Sequence, residues 1–109
     1  MESLRSPNRR PTHPGATLRE DVLPALGMTQ MEFADRLGVS RLTVSELLHE
    51  KRSVSPEMAL RLGKLLNTSP VSWLAMQNAV DVWELSQTGE VVASIKPLPR
   101  RRREPETVD

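Results

Sequence analysis

The 109-residue chain has no cysteine, which excludes disulfides and thiolate metal sites and makes its fold indifferent to the redox state of its surroundings. It has only two histidines, His13 and His49, no glycine-rich phosphate loop and no paired metal-ligand motif. Nucleophilic, acid–base and metal-assisted catalysis therefore lack their usual side chains, and neither an enzyme nor a cofactor is expected. No apolar run approaches the roughly 20 residues needed to span a bilayer. The start, MESLRSPNRRPTHPG, lacks the apolar stretch of a secretory signal. A soluble cytoplasmic protein with no membrane partner is the expectation.

A large charge of one sign is missing as well: 15 Lys and Arg oppose 14 Asp and Glu, a net charge of +1. The distribution is uneven. Residues 1–13 set Arg5, Arg9 and Arg10 against Glu2, and residues 96–109 set Lys96 and Arg100 to Arg103 against Glu104, Glu106 and Asp109, so each end carries +2 and the middle −3. If nucleic acid is a partner, local geometry and the ends must supply much of the attraction. Both ends are proline-rich, polar and poor in bulky apolar residues. They read as a disordered basic arm over 1–13, with Arg5, Arg9 and Arg10 able to meet DNA or a partner, and a disordered tail over 97–109.

What is present between the ends is helix punctuation. Leu18, Val22 and Leu26 fall at helical spacing after Pro14–Gly15, with Pro24 expected to distort the last turn. Thr29 precedes Glu32 by three residues, a capping box opening QMEFADRL, which Gly38 stops. Ser40 caps the next helix, and Ser55–Pro56 and Ser69–Pro70 each pair a cap with the proline that suits a first turn. Five helices follow, near 16–26, 30–37, 41–49, 56–66 and 70–84. A single small domain at 38% hydrophobic residues fits this all-α plan, with Met58, Leu62, Leu65, Leu66, Trp73, Leu74 and Met76 in the core. Trp83 and Leu85 fit either packing on the first helix or a dimer seam.

The second and third helices are joined too tightly for antiparallel packing, so they must cross steeply, the signature of a helix-turn-helix. Phe33, Ala34 and Leu37 can then meet Val44, Leu47 and Leu48. At about 100° per residue, Leu47 and Leu48 lie near Val44, while Leu42, Glu46 and His49 point the other way, flanked by Thr43, Ser45, Ser40 and Arg41. Any surface helix shows a polar outer face, and a single exposed leucine is ordinary. The spacing of the two helices together favours a reading in which this face meets the DNA major groove: Arg binds guanine, Glu accepts from cytosine, and Leu42 touches a thymine methyl.

The stretch TQMEFADRLGVSRLTVSELLHEKRSVSPEMALRLGKLLNTSPVSWLAMQ resembles the core of the phage-repressor-like Xre family. With HPG at 13–15, SPEMALRL at 55–62 and WLAMQNAVDVW at 73–83, it is similar to the HigA-type antitoxins within that family. The resemblance implies a five-helix, lambda-repressor-like helix-turn-helix domain over 14–86. It also implies a homodimer that binds operator double-stranded DNA, represses its own operon and neutralises a HigB-like ribonuclease toxin of RelE-like fold. Carried over by position, Thr29 and Gln30 meet phosphate. Ser40, Arg41, Leu42, Thr43, Ser45 and Glu46 face the groove, and Lys51 and Arg52 grip the backbone. Where the family has glycine before the basic pair, this chain has Glu50, so the left-handed cap expected there is replaced or strained.

Two alternatives stay open: a stand-alone Xre-type repressor without a toxin, and an interaction module that no longer binds DNA. Residues 87–96, where Val91, Ala93 and Ile95 alternate with Val92, Ser94 and Lys96, read as one short strand that pairs with a second copy or a partner's sheet.

Overall fold

The computed structural model describes residues 9–100, so Arg5 and the disorder expected of 1–8 and 101–109 lie outside the described residues. Five helices follow one another. Helix α1 runs in three joined parts, Pro14–Thr17, Leu18–Val22 and Leu23–Leu26, the middle one in π geometry. Then come α2 (Gln30–Leu37), α3 (Arg41–Leu48), α4 (Pro56–Leu66) and α5 (Pro70–Thr88).

Each helix opens on a side-chain cap. Thr29 accepts from the Glu32 N–H while Glu32 accepts from the Thr29 N–H, completing the expected box. Ser40, Ser55 and Ser69 accept from the N–H groups of Thr43, Met58 and Ser72. The cap of α1 is His13, whose Nδ1 accepts from the Gly15 N–H at 2.8 Å. That bond starts the helix at Pro14, two residues earlier than expected, and draws His13 out of the arm into the folded body, where it is 4% exposed.

Pro24 acts one turn earlier than its own position. It lacks an N–H, and its ring would strike the carbonyl four residues back in a regular α-helix. The chain inserts a π turn there instead, with the Leu23 N–H donating to the Leu18 carbonyl. The extra residue shifts the phase of everything after it. Leu18 and Leu23 are buried, whereas Val22 is only half-buried and Leu26 is 45% exposed, correcting the even 18–22–26 stripe.

The core joins Leu18 and Leu23 of α1, Phe33, Ala34 and Leu37 of α2, Val44, Leu47 and Leu48 of α3, Met58, Ala59 and Leu62 of α4, and Trp73 of α5. Leu65, Leu66, Leu74 and Met76 pack at its margin. Val54, in the α3–α4 connection, is buried as well, its N–H donating to Oε1 of the buried Gln77 at 2.9 Å. Trp83 is half-buried and Leu85 exposed.

The strand expected over 87–96 is not formed. Helix α5 continues through Thr88 to a left-handed Gly89, and 90–94 makes successive turns, with Ala93 and Ile95 donating to Glu90 and Val92. Alternating side chains do not make a strand without a ladder to accept its backbone groups, and the described chain has no other strand to offer one. Among the described residues no helix is long and apolar enough to cross a membrane.

Helix α1 meets the end of α3 so closely that a Cβ on Gly15 would overlap the Leu47 carbonyl oxygen. Gly15→Ala is therefore expected to lower the unfolding free energy by at least about 1–3 kcal/mol, the usual cost of overpacking, measured by urea titration. An unchanged midpoint would contradict this approach of α1 to α3.

Candidate nucleic-acid interface

The turn between α2 and α3 consists of Gly38, Val39 and Ser40. Gly38 sits at φ 78°, left-handed backbone that glycine adopts without strain, and the Val39 N–H donates back to the Ala34 carbonyl. Arg61 of α4 reaches across to donate to the Leu37 carbonyl at 2.8 Å, while Glu57 holds its other donors. The carbonyls of Ala34, Asp35 and Leu37 at the end of α2 are thus occupied as α3 leaves. Arg61 carries no recognisable sequence signal, because the carbonyl it serves is 24 residues away.

With Val44, Leu47 and Leu48 buried, the remaining side of α3 is the outer one. Arg41 and Leu42 are exposed there, Leu42 at 66%, and Thr43, Ser45 and Glu46 are half-buried. The hydroxyls are partly committed: Ser40 caps the Thr43 N–H at 3.0 Å and shares a hydrogen bond with the Thr43 hydroxyl at 2.9 Å. Glu46 is committed too, its Oε1 accepting from Arg52 at 2.6 and 3.0 Å. An acidic side chain read from sequence as an acceptor for cytosine is therefore held by the cation that follows the helix. His49 hydrogen-bonds the Ser45 carbonyl at 2.7 Å and stays exposed. Arg41 and Lys51, at opposite ends of α3, have no ion-pair partner among the described residues.

At the start of α2, the capping box occupies the hydroxyl and N–H of Thr29. The first-turn N–H groups of Gln30 and Met31, at the positive end of the helix dipole, are the donors left for an anion. Thr29 is thus committed to the cap, and the open donors at this helix start are backbone N–H groups one and two residues on.

Beyond α3 lies an ion cluster that sequence reasoning missed. Glu50 adopts φ 62°, left-handed backbone that costs a non-glycine residue about 1–2 kcal/mol. The expected strained cap is realised: the N–H groups of Glu50 and Lys51 donate to the carbonyls of Leu47 and Glu46. Its carboxylate meets Arg10 at 3.1 Å and Arg19 at 3.3 Å, and Arg19 also donates to the Leu48 carbonyl at 2.6 Å. Arg10 continues to Glu84 of α5 at 2.8 Å, so it lies against the domain rather than in an arm. Partial burial works to raise the Glu50 pKa, but hydrogen bonds from the two arginines outweigh it and hold the carboxyl below the usual range. Burial lowers the pKa of His13 next to this cluster.

Two short helices crossing at a three-residue turn, the second with a core face and a cation-tipped outer face, define the helix-turn-helix class. A family model described as helix-turn-helix matches residues 18–73. Antitoxin HigA-1 of Vibrio cholerae is 34% identical over 96 residues, covering 87% of this chain and 90% of that one. The HTH-type transcriptional regulator YbaQ of Escherichia coli is 39% identical over 82 residues, covering 75% and 73%. The solved structure of antitoxin GraA in complex with its operator superposes with a TM-score of 0.77 at 37% identity, covering 90% and 100%. The chain belongs to the Xre-type helix-turn-helix family, in the branch of HigA-like antitoxins and HTH-type regulators, a family of regulators rather than enzymes.

The lowered pKa values give acid sensitivity in two stages. Below the ordinary histidine value of about 6.5, the unfolded chain binds a proton that folded His13 resists, so stability falls as pH drops from there through the lowered folded value. The Glu50 contribution, present above the ordinary carboxylate range, is lost at lower pH still, as its folded value is crossed. His13→Asn retains a capping acceptor and is expected to abolish the first stage, read as urea midpoints between about pH 8 and 5. A slope that persists in the variant would assign the effect to another group.

Proposed function

We propose that the chain is the antitoxin of a type II toxin-antitoxin module. As a homodimer it binds a palindromic operator and represses its own operon, and it neutralises a HigB-like ribonuclease toxin, both in the cytoplasm. The observation that carries the DNA reading is the outer face of α3, where Arg41 stands exposed, with no ion-pair partner among the described residues, at the first helical position beside exposed Leu42. Arg41 reads a base edge, guanine being the commonest bidentate partner of arginine, and Leu42 packs on a thymine methyl. Thr43, Ser45 and Glu46 line the groove behind them. Gln30, with the backbone N–H groups of Met31 and Ser40, meets phosphate, Thr29 joins them by exchanging its bond to Glu32, and Lys51 and Arg52 grip the strand beyond. Arg52 reaches phosphate by exchanging its bond to Glu46. The operator in the GraA complex and the name of HigA-1 support this assignment.

The homodimer is supported by an exposed stripe on α5. Val71, Ala75, Asn78, Val82 and Leu85 all face solvent, and their spacing of four, three, four and three residues is that of a coiled-coil seam. A second copy packed along it buries the apolar positions, and paired Asn78 side chains set the register. A two-fold dimer then requires operator half-sites about one helical turn, roughly 34 Å, or a multiple apart.

Titration against the chain's own promoter, at two salt concentrations with unrelated DNA as competitor, tests the operator reading; binding that does not survive competition would end it. Arg41→Ala is expected to cost about 1–3 kcal/mol and to relax preference at one base position. A uniform loss across sequences would make Arg41 a phosphate contact instead. Val82→Glu with Leu85→Glu is expected to give monomers in sedimentation and to weaken operator binding. An intact dimer would move the seam elsewhere.

A further inference from the structure

Among the described residues, only Glu50 and Asn67 are non-glycine residues in the left-handed region. Asparagine tolerates that backbone and glutamate does not. Glycine would close the same turn without strain, so the side chain of Glu50 must do something glycine cannot. It also carries a negative charge one residue ahead of Lys51 and Arg52, a position where a bare carboxylate would repel phosphate.

Both oxygens are in use. One meets Arg10, which reaches on to Glu84 of α5, and the other meets Arg19 of α1, whose guanidinium also holds the Leu48 carbonyl at the end of α3. The segment before α1 and α1 itself therefore meet at one carboxylate, and α5 is joined to it through Arg10. The Lys51 N–H is tied to the Glu46 carbonyl at 2.8 Å, so Lys51 and Arg52 leave α3 directly after the residue whose carboxylate Arg10 and Arg19 hold.

We propose that Glu50 is a positioning residue for DNA binding: held between Arg10 and Arg19, it sets the path on which Lys51 and Arg52 leave α3 and is neutralised as it does so. Arg10 then acts through Glu50 and is not itself a phosphate contact. This rests on the operator reading, but the sign of its main effect separates it from plain electrostatics. Removing a carboxylate near DNA should strengthen binding if charge alone matters, and weaken it if the clamp matters.

The test uses the full chain and its promoter fragment, with Glu50→Gln, Glu50→Gly, Arg10→Ala and the Arg10→Ala/Glu50→Gln double variant, each first shown by circular dichroism to be folded. Glu50→Gln is expected to weaken specific binding about tenfold while leaving the slope of log K against log salt unchanged. Arg10→Ala should match it, and the double variant should be no worse than either single one. Glu50→Gly should melt higher than Glu50→Gln yet bind as weakly, a divergence that a merely structural role does not produce. Tighter binding by Glu50→Gln, parent-like binding by Glu50→Gly, or a slope reduced by about 1 in Arg10→Ala would each overturn the proposal. If the unsubstituted chain bound no promoter DNA, the operator reading would fall and this role with it. The clamp itself is judged separately by amide exchange at Glu50 and Lys51, expected to quicken in Glu50→Gln; unchanged exchange would remove it.

Discussion

The left-handed turn at Gly38 is the constraint on which the rest of the molecule depends. It redirects the chain within three residues, too few for α3 to pack back along α2, and only one face of α3 reaches the core. Arg61 donates to the part-buried Leu37 carbonyl that the turn leaves at the end of α2, a group that would otherwise lack a partner. Once Val44, Leu47 and Leu48 are committed inward, the side chains between them have no choice of direction. The outward placement of Arg41 and Leu42 is thus a by-product of core packing.

The same frame explains how a chain with a net charge of +1 can present a cationic site. Four arginines are used as multi-donor clamps: Arg61 on the Leu37 carbonyl and Glu57, Arg19 on the Leu48 carbonyl and Glu50, Arg10 between Glu50 and Glu84, Arg52 on Glu46. The planar guanidinium suits that task because it can bind a carbonyl and a carboxylate together. Arg41 and Lys51 are the exceptions on α3 and its exit, and they stand at its two ends. Charge counting along the sequence gives every cation equal weight, whereas the fold distinguishes those already spoken for from those presented to a partner.

Much of the architecture was legible because it is written in local chemistry. The bounds of α2 and α4 follow from Thr29, Gly38 and the Ser55–Pro56 pair, each acting within one turn of itself. The inner face of α3 follows from helical period alone. The departures have equally specific causes. Pro24 announces a disturbance in the sequence, but the remedy, a π turn that moves burial from Val22 to Leu23, depends on what lies opposite α1. His13 ends a polar, proline-rich stretch that reads as an arm, and its capping role shows only in the folded helix. The alternating residues of 87–96 suggested a strand, but pairing is a property of two segments, and the described chain supplies only one.

The sequence by itself determined the number and order of the helices, the caps of all but the first, the helix-turn-helix and the side of α3 that must be buried, because each depends on residues within a turn or two of one another. The tertiary structure alone decided which of those side chains remain available. Glu46 is taken by Arg52, six residues on, and Glu50 by Arg10 and Arg19, forty and thirty-one residues away, at positions whose proximity exists only after the helices have packed. Hydrogen-bond partners at such separations leave no periodic trace in the chain. Only the packed helices can therefore say which charges face a ligand.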